Sequence, residues 1–152
     1  MWLGLLKWLH VLAAITAVGA NFTYGIWIAR ASKEPQVLPF VLRNISMIDR
    51  RVANPCYALL LLTGLTMALT VHIPLTTPWL LTALVLYVLS ALLGILAYAP
   101  VTRKQRAILE KEGFDSPAYR AIAQQGTRLG IAVTLDVVII VFLMVVKPVL
   151  WG

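Results

Sequence analysis

Residues 2–29 read WLGLLKWLHVLAAITAVGANFTYGIWIA, an apolar run broken by few polar side chains. About 20 apolar residues cross a hydrocarbon core, and this run exceeds that length. Within it Lys7, His10, Ala14, Ala17, Asn21 and Tyr24 recur at intervals of three and four, which places them on one stripe of one helix. A stripe holding a cation, an imidazole and an amide cannot face lipid, because a charge near the bilayer centre costs at least about 3 kcal/mol. It must face protein, water or a ligand.

Working outward, Val52–Val71, Trp79–Pro100 and Leu129–Val146 are apolar stretches of similar character. The chain is 61% hydrophobic and 12% charged, with mean hydropathy +0.87, about half the charged fraction of a soluble domain. The expected fold is all-α, a four-transmembrane-helix bundle forming a single domain over residues 1–152. The first run lacks a basic start and an A-x-A site and is too long for a signal-peptide core, so it reads as a retained helix. A single cysteine, Cys56, excludes an internal disulfide and a thiolate cluster. No glycine-rich phosphate loop, H-E-x-x-H, C-x-x-C or G-x-S-x-G pattern is present, which removes the corresponding enzyme chemistries.

The net charge of +7 is a topology signal, and no nucleic-acid partner is expected from it. Of the 13 basic residues, Arg30, Lys33, Arg43, Arg50 and Arg51 lie in the first connection. Arg103, Lys104, Arg106, Lys111, Arg120 and Arg128 lie in the third, and the second connection, His72–Pro78, has no basic residue other than its histidine. Lys/Arg excess marks cytoplasmic loops, so both long connections are expected inside, against anionic headgroups, with an N-out, C-out arrangement. Trp2, Trp8, Trp79 and Trp151 would then mark the outer interface, and Trp27, Tyr57 and Tyr98 the inner one.

Gln36–Arg51 sets Leu38, Val41, Leu42, Ile45 and Ile48 against Arg43, Asn44, Asp49 and Arg50, the pattern of an amphipathic helix lying in the inner interface. Asn54 and Pro55 are expected to open the second spanning helix, where a proline does least harm. The short turn His72–Pro78 predicts that the second and third helices are antiparallel neighbours. Thr102–Glu112 is helix-prone and cytoplasmic, ended by Gly113. Asp115 or Ser116 before Pro117 restarts a helix that can run into the fourth span.

His10, Asn21, Lys7 and Asp136 are candidate cofactor-binding residues, and His10 and His72 are candidate metal ligands. His10 can ligate a haem iron or copper or relay protons; it can equally be a buried histidine bonded to a neighbouring helix. His72 could join it as a second metal ligand, or be an interfacial cap. Asp136, the one acid inside a span, is expected to be protonated, paired or beside water. Its expected partners are Asn21, Ala17 or His10, and its role is interhelical bond or proton relay. Lys7 can snorkel outward or, with Lys147, hold an anionic group such as a propionate. Met67 and Met144 offer soft copper ligands but fit equally as core filler.

Leu6-Lys7-Trp8-Leu9-His10-Val11-Leu12, Arg30, Ile48-Asp49-Arg50-Arg51 leading to Pro55, and Leu62-Thr63-Gly64-Leu65 resemble the HemJ-type protoporphyrinogen oxidases and the CopD-type copper-resistance proteins. Asp115-Ser116-Pro117-Ala118-Tyr119 and Leu143-Met144-Val145-Val146-Lys147-Pro148 resemble a family of small bacterial predicted integral membrane proteins that carries only a domain-of-unknown-function label. The HemJ resemblance implies haem b as cofactor, His10 as its ligand and a prokaryotic plasma membrane as location. The chain departs from that pattern where a lysine would follow Trp79, since Leu80-Leu81-Thr82-Ala83-Leu84 stand there, and Leu92–Tyr98 holds no histidine. These absences argue against the oxidase reaction. Three functions follow: a haem- or porphyrin-associated redox or accessory module around His10, a non-catalytic subunit or scaffold of a homo-oligomer or larger membrane complex, and a copper or proton permease.

Overall fold

The computed structural model describes residues 1–150 and is all-helical over them; Trp151, read as an outer-interface aromatic, lies outside the described residues. Six α-helices follow in order: α1 (Trp2–Ala31), α2 (Leu38–Ile48), α3 (Asn54–Thr70), α4 (Pro78–Leu92), α5 (Ala99–Glu112) and α6 (Pro117–Val146). Four helical rods are long and apolar enough to cross a membrane: Trp2–Ala31, Leu38–Thr70, Pro78–Glu112 and Pro117–Val146. With four crossings, both chain ends fall at one end of the bundle, the terminal end. The long basic connections lie at the other, the connection end.

The second and third rods contain 33 and 35 residues, so each is about 50 Å long against a hydrocarbon core of about 30 Å. The second spanning helix therefore does not begin at Asn54; it continues from α2. What allows this is a π-helical turn, Asp49–Ala53, placed immediately before Asn54 and Pro55. In a regular helix the Pro55 ring would strike the carbonyl four residues back, and the wider turn relieves that contact. The Asn54 N–H reaches back to the Asp49 carbonyl. Because Pro55 has no N–H, the Arg50 carbonyl loses its helix donor. The same device recurs at Leu93–Tyr98, where the Ala99 N–H bonds to the Gly94 carbonyl and Pro100 follows.

The amphipathic stretch is helical, and its apolar stripe is covered by protein. Leu38, Leu42 and Ile45 are buried, while Phe40 and Met47 are left facing outward. Ala31, Leu38, Leu42, Leu109 and Tyr119 form a core at the connection end, packed by Ile28, Val41, Ile108, Phe114 and Ala123. The basic residues of both connections ring this cap, all exposed except the half-buried Arg106. Ser116 is the N-cap of α6, accepting the Tyr119 N–H at 3.1 Å. Gly113, at φ +81°, ends α5. Gly126 continues α6 unbroken, and a Cβ there would sit 3.4 Å from the Gln105 Oε1, so its small size lets α5 and α6 approach.

In the spans, α1 packs on α3 and α4 on α6, and the two pairs meet through α1–α6. The α1 seam is Leu6, Ala13, Ala17 and Tyr24, all buried; Lys7 is exposed and off it. The short turn does not make α3 and α4 packed neighbours: no Cα of one comes within 8 Å of a Cα of the other. One side-chain bond crosses between them, Tyr87 hydroxyl to Tyr57 carbonyl at 2.9 Å. The accessible surface is 9848 Å², where a compact soluble protein of this mass exposes about 7,600 Å². The helices meet along narrow seams and leave wide apolar flanks for lipid.

The turn after α3 is a Schellman motif, with His72 N–H bonded to Leu69 O at 3.2 Å and Ile73 N–H to Ala68 O at 2.9 Å. His72 holds its left-handed position at φ +60°, a place that glycine fills without strain. His72→Gly should raise stability by about 0.5–1 kcal/mol, read as a Tm increase of about 2–4 °C in detergent.

Candidate functional site

His10 extends from α1 onto α3, where Thr63 and Gly64 receive it. Thr63 is buried, and its Oγ1 lies 2.6 Å from the Leu59 carbonyl and 2.8 Å from His10 Nδ1. The threonine hydroxyl has one proton, and the carbonyl, which can only accept, takes it. Thr63 Oγ1 must then accept from His10, which assigns the proton to Nδ1 and leaves Nε2 as the acceptor nitrogen of the ring. Gly64 makes room for the ring: a Cβ at that position would lie 3.2 Å from His10 Cε1.

The other sequence candidates do not converge on His10. Lys7 is exposed. His72 is exposed in its turn, eight residues beyond Gly64, or about 12 Å along the helix axis. Lys147 lies at the terminal end with Nζ 5.4 Å from the Trp79 ring centroid. Among the described residues there is no group of three His, Cys, Asp or Glu side chains disposed around one point.

Asn21 and Asp136 also find partners on other helices, though not each other. The Asn21 amide donates to the Tyr57 hydroxyl, and Ser90 Oγ donates to Asp136 Oδ2. The expectation that Asp136 meets Asn21, Ala17 or His10 on the first helix is thus corrected. The reason is packing: α6 lies along α4 and only touches α1. Together with Tyr87, these pairs form a polar belt to which each spanning rod contributes: Asn21, Tyr57, Tyr87 with Ser90, and Asp136.

One cluster escaped the sequence reading. Tyr24 is 6% exposed, and its hydroxyl is buried with no hydrogen-bond partner. Asp49, in the first π turn, lies close enough for its charge to act on Tyr24, Tyr57 and Tyr98. Four of the chain's five tyrosines therefore lie in or beside this region. The signal available in sequence was Tyr24 itself, already on the stripe with Asn21. Read by its neighbours in the chain, Asp49 belongs to the polar face of an interfacial helix, and no spacing rule joins it to Tyr98.

A model of the family described as predicted integral membrane protein (DUF2269) matches residues 4–148, a range that includes His10, Asn21, Thr63, His72 and Asp136. The chain belongs to that family. The family description, together with the four apolar rods, makes it an integral membrane protein. No curated protein and no solved structure matches the chain.

Thr63→Val keeps the shape of the side chain and removes the acceptor of His10 Nδ1–H, and should cost about 1 kcal/mol. A double-mutant cycle of His10→Ala with Thr63→Val, followed by thermal unfolding, should return a coupling of about 0.6–1.7 kcal/mol; additive effects would mean the two groups do not interact.

Proposed function

We propose that this protein is a membrane-embedded cofactor module that holds a haem-type group through Nε2 of His10. The observation that carries the reading is the Thr63 bond to His10 Nδ1. Ligating histidines are oriented by donating the second ring N–H to a neighbour, which fixes the tautomer and raises ligand basicity. His10 has that arrangement. The likeness of Leu6–Leu12 to haem-ligating segments supports the same residue.

His10 would be the one protein ligand to such a group. His72 is too far along α3 to supply a second. Lys7, one turn from His10 toward the terminal end, is a cation placed to meet an acidic substituent of the group. When bound, such a group supplies one-electron chemistry; the protein's part is to present Nε2 and to exclude water with the apolar α1–α3 seam. The absence of a lysine after Trp79 in α4 makes an accessory or electron-transfer role fit better than the oxidase reaction. We place the module in a prokaryotic plasma membrane, with the ring of exposed cations at the connection end turned to the cytoplasm and to anionic headgroups.

A second reading rests on a specific observation. His10, Asn21 and Asp136 each have a partner on another helix, which is how polar residues fasten membrane helices. A structural subunit of a larger complex would show that and bind no cofactor. The absorption spectrum of detergent-purified protein, expressed with ample haem supply, separates the two. The cofactor reading expects a Soret band that His10→Ala abolishes and that Thr63→Val weakens, with affinity falling about 10–100-fold. A protein without a Soret band, or a band indifferent to His10→Ala, leaves the structural reading. A copper or proton permease would instead show stoichiometric copper, or transport lost in Asp136→Asn with the fold retained.

A further inference from the structure

Where α1 ends and α6 begins, the cap is open. A cavity of about 250 Å³ lies between them, far above the roughly 10–15 Å³ that one water needs. Its polar wall is Ser32 at the end of α1, Gln105 of α5, and Arg120, Gln124 and Thr127 of α6. Ile28 and Phe114 supply apolar wall beside them. The three α6 residues are four and three apart, which puts them on one stripe of that helix. Among the described residues no acid lines the cavity, and Arg120 is its one charge.

The hydrogen-bonding capacity of this wall is only partly used. The Ser32 hydroxyl donates to the Ile28 carbonyl at 2.8 Å, and the Thr127 hydroxyl to the Ala123 carbonyl at 3.0 Å. Both protons are committed, so both oxygens are left to accept from a ligand. Buried Gln105 donates its amide N–H to the Tyr119 hydroxyl at 3.3 Å, which leaves its carbonyl oxygen as a further acceptor. The donor of greatest strength is the Arg120 guanidinium. Its ion pair with Asp115 is long, at 3.7 Å, and exposed on both sides, and such pairs hold weakly.

The class of ligand follows from what lies beyond the cavity on the same stripe. Ile131, Leu135 and Val138 continue it at intervals of four, four and three from Thr127, and all three are exposed. They belong to the apolar stretch that starts at Leu129, so the polar cavity sits at headgroup depth and the apolar track in the hydrocarbon layer. We propose that this cavity binds one anionic glycerophospholipid of the phosphatidylglycerol type. Its phosphate meets Arg120, its headgroup hydroxyls meet the acceptor oxygens, and an acyl chain follows the α6 track. One guanidinium matches the single negative charge of a phosphodiester. A zwitterionic headgroup would set its ammonium beside that guanidinium with no acid to balance it. The ring of exposed cations attracts an anionic surface as a whole; the cavity retains one molecule of it, as basic pockets between membrane helices do. The site is at the opposite end of α1 from His10 and does not depend on the cofactor reading.

The test uses full-length protein purified in detergent and stripped of lipid, with dioleoyl-phosphatidylglycerol or dioleoyl-phosphatidylethanolamine added back. Phosphatidylglycerol should raise Tm by about 3 °C or more, and phosphatidylethanolamine by less than half as much. Native mass spectrometry should show one phosphatidylglycerol retained per chain. Arg120→Gln should weaken that binding about tenfold. Arg103→Gln, which removes an exposed cation of the same ring outside the cavity, should leave it within about twofold. Gln124→Ala should weaken binding about threefold and reads the same site if Arg120→Gln fails to fold. Equal stabilisation by the two lipids, or equal loss in both arginine variants, overturns the proposal, since the attraction would then belong to the surface and not to the cavity. So does an equal Tm rise with glycerol 1-phosphate alone, which would make this a site for a soluble anion.

Discussion

Inside a hydrocarbon layer no water is present to satisfy a polar group, and this constraint governs the protein from backbone to side chain. The backbone answers it with continuous helices. Where Pro55 and Pro100 interrupt the hydrogen-bond ladder, a π turn precedes each of them. The side chains answer it by pairing across helices: His10 with Thr63, Asn21 with Tyr57, Ser90 with Asp136. The seams are narrow because apolar contact is not favoured over lipid contact in this solvent, so a few small residues and a few polar bonds fix the arrangement. Ala13, Ala17 and Gly64 set how closely α1 and α3 approach, and Thr63 sets which groups then meet.

Several features were legible in the sequence because they depend on local rules. Spans follow from apolar length, the α6 cap from Ser116-Pro117, and the end of α5 from Gly113. The stripe of α1 was legible as well, apart from Lys7, since helical spacing is indifferent to what lies opposite. What spacing could not supply was the identity of those opposite residues. Asp136 meets Ser90 because α6 lies along α4, a fact of packing order that no single segment encodes. The continuity of α2 into α3 was hidden for a different reason. Asn54-Pro55 carries an ordinary helix-start signal, and a π turn has no sequence signature strong enough to overrule it.

The same gap explains why the tyrosine cluster was missed. Tyr24, Asp49, Tyr57 and Tyr98 come from four separate elements, and three of them look like interface aromatics or a solvated acid when read singly. Their common property, polar atoms gathered where two π turns flank the bundle, exists only in three dimensions. His10 is the opposite case. Its environment was unusual enough in one dimension to be suspected, and the structure adds the one detail that matters chemically, the nitrogen that carries the proton.

The π turn at Asp49–Ala53 also sets the angular phase of the rod that contains it. Because it closes on the fifth residue instead of the fourth, the turn sets everything beyond it back by about 100°, the rotation of one residue in a regular helix. Leu38, Leu42 and Ile45 face the cap core only because that offset is present; a straightened helix would carry the same residues round to the outside and bring other residues in. The turn is therefore a fixed angular correction between two packing problems, one among the spanning helices and one in the cap. A single deletion within it would return a regular helix with the two ends of the protein still in phase, and would withdraw the room that the wider turn gives Pro55.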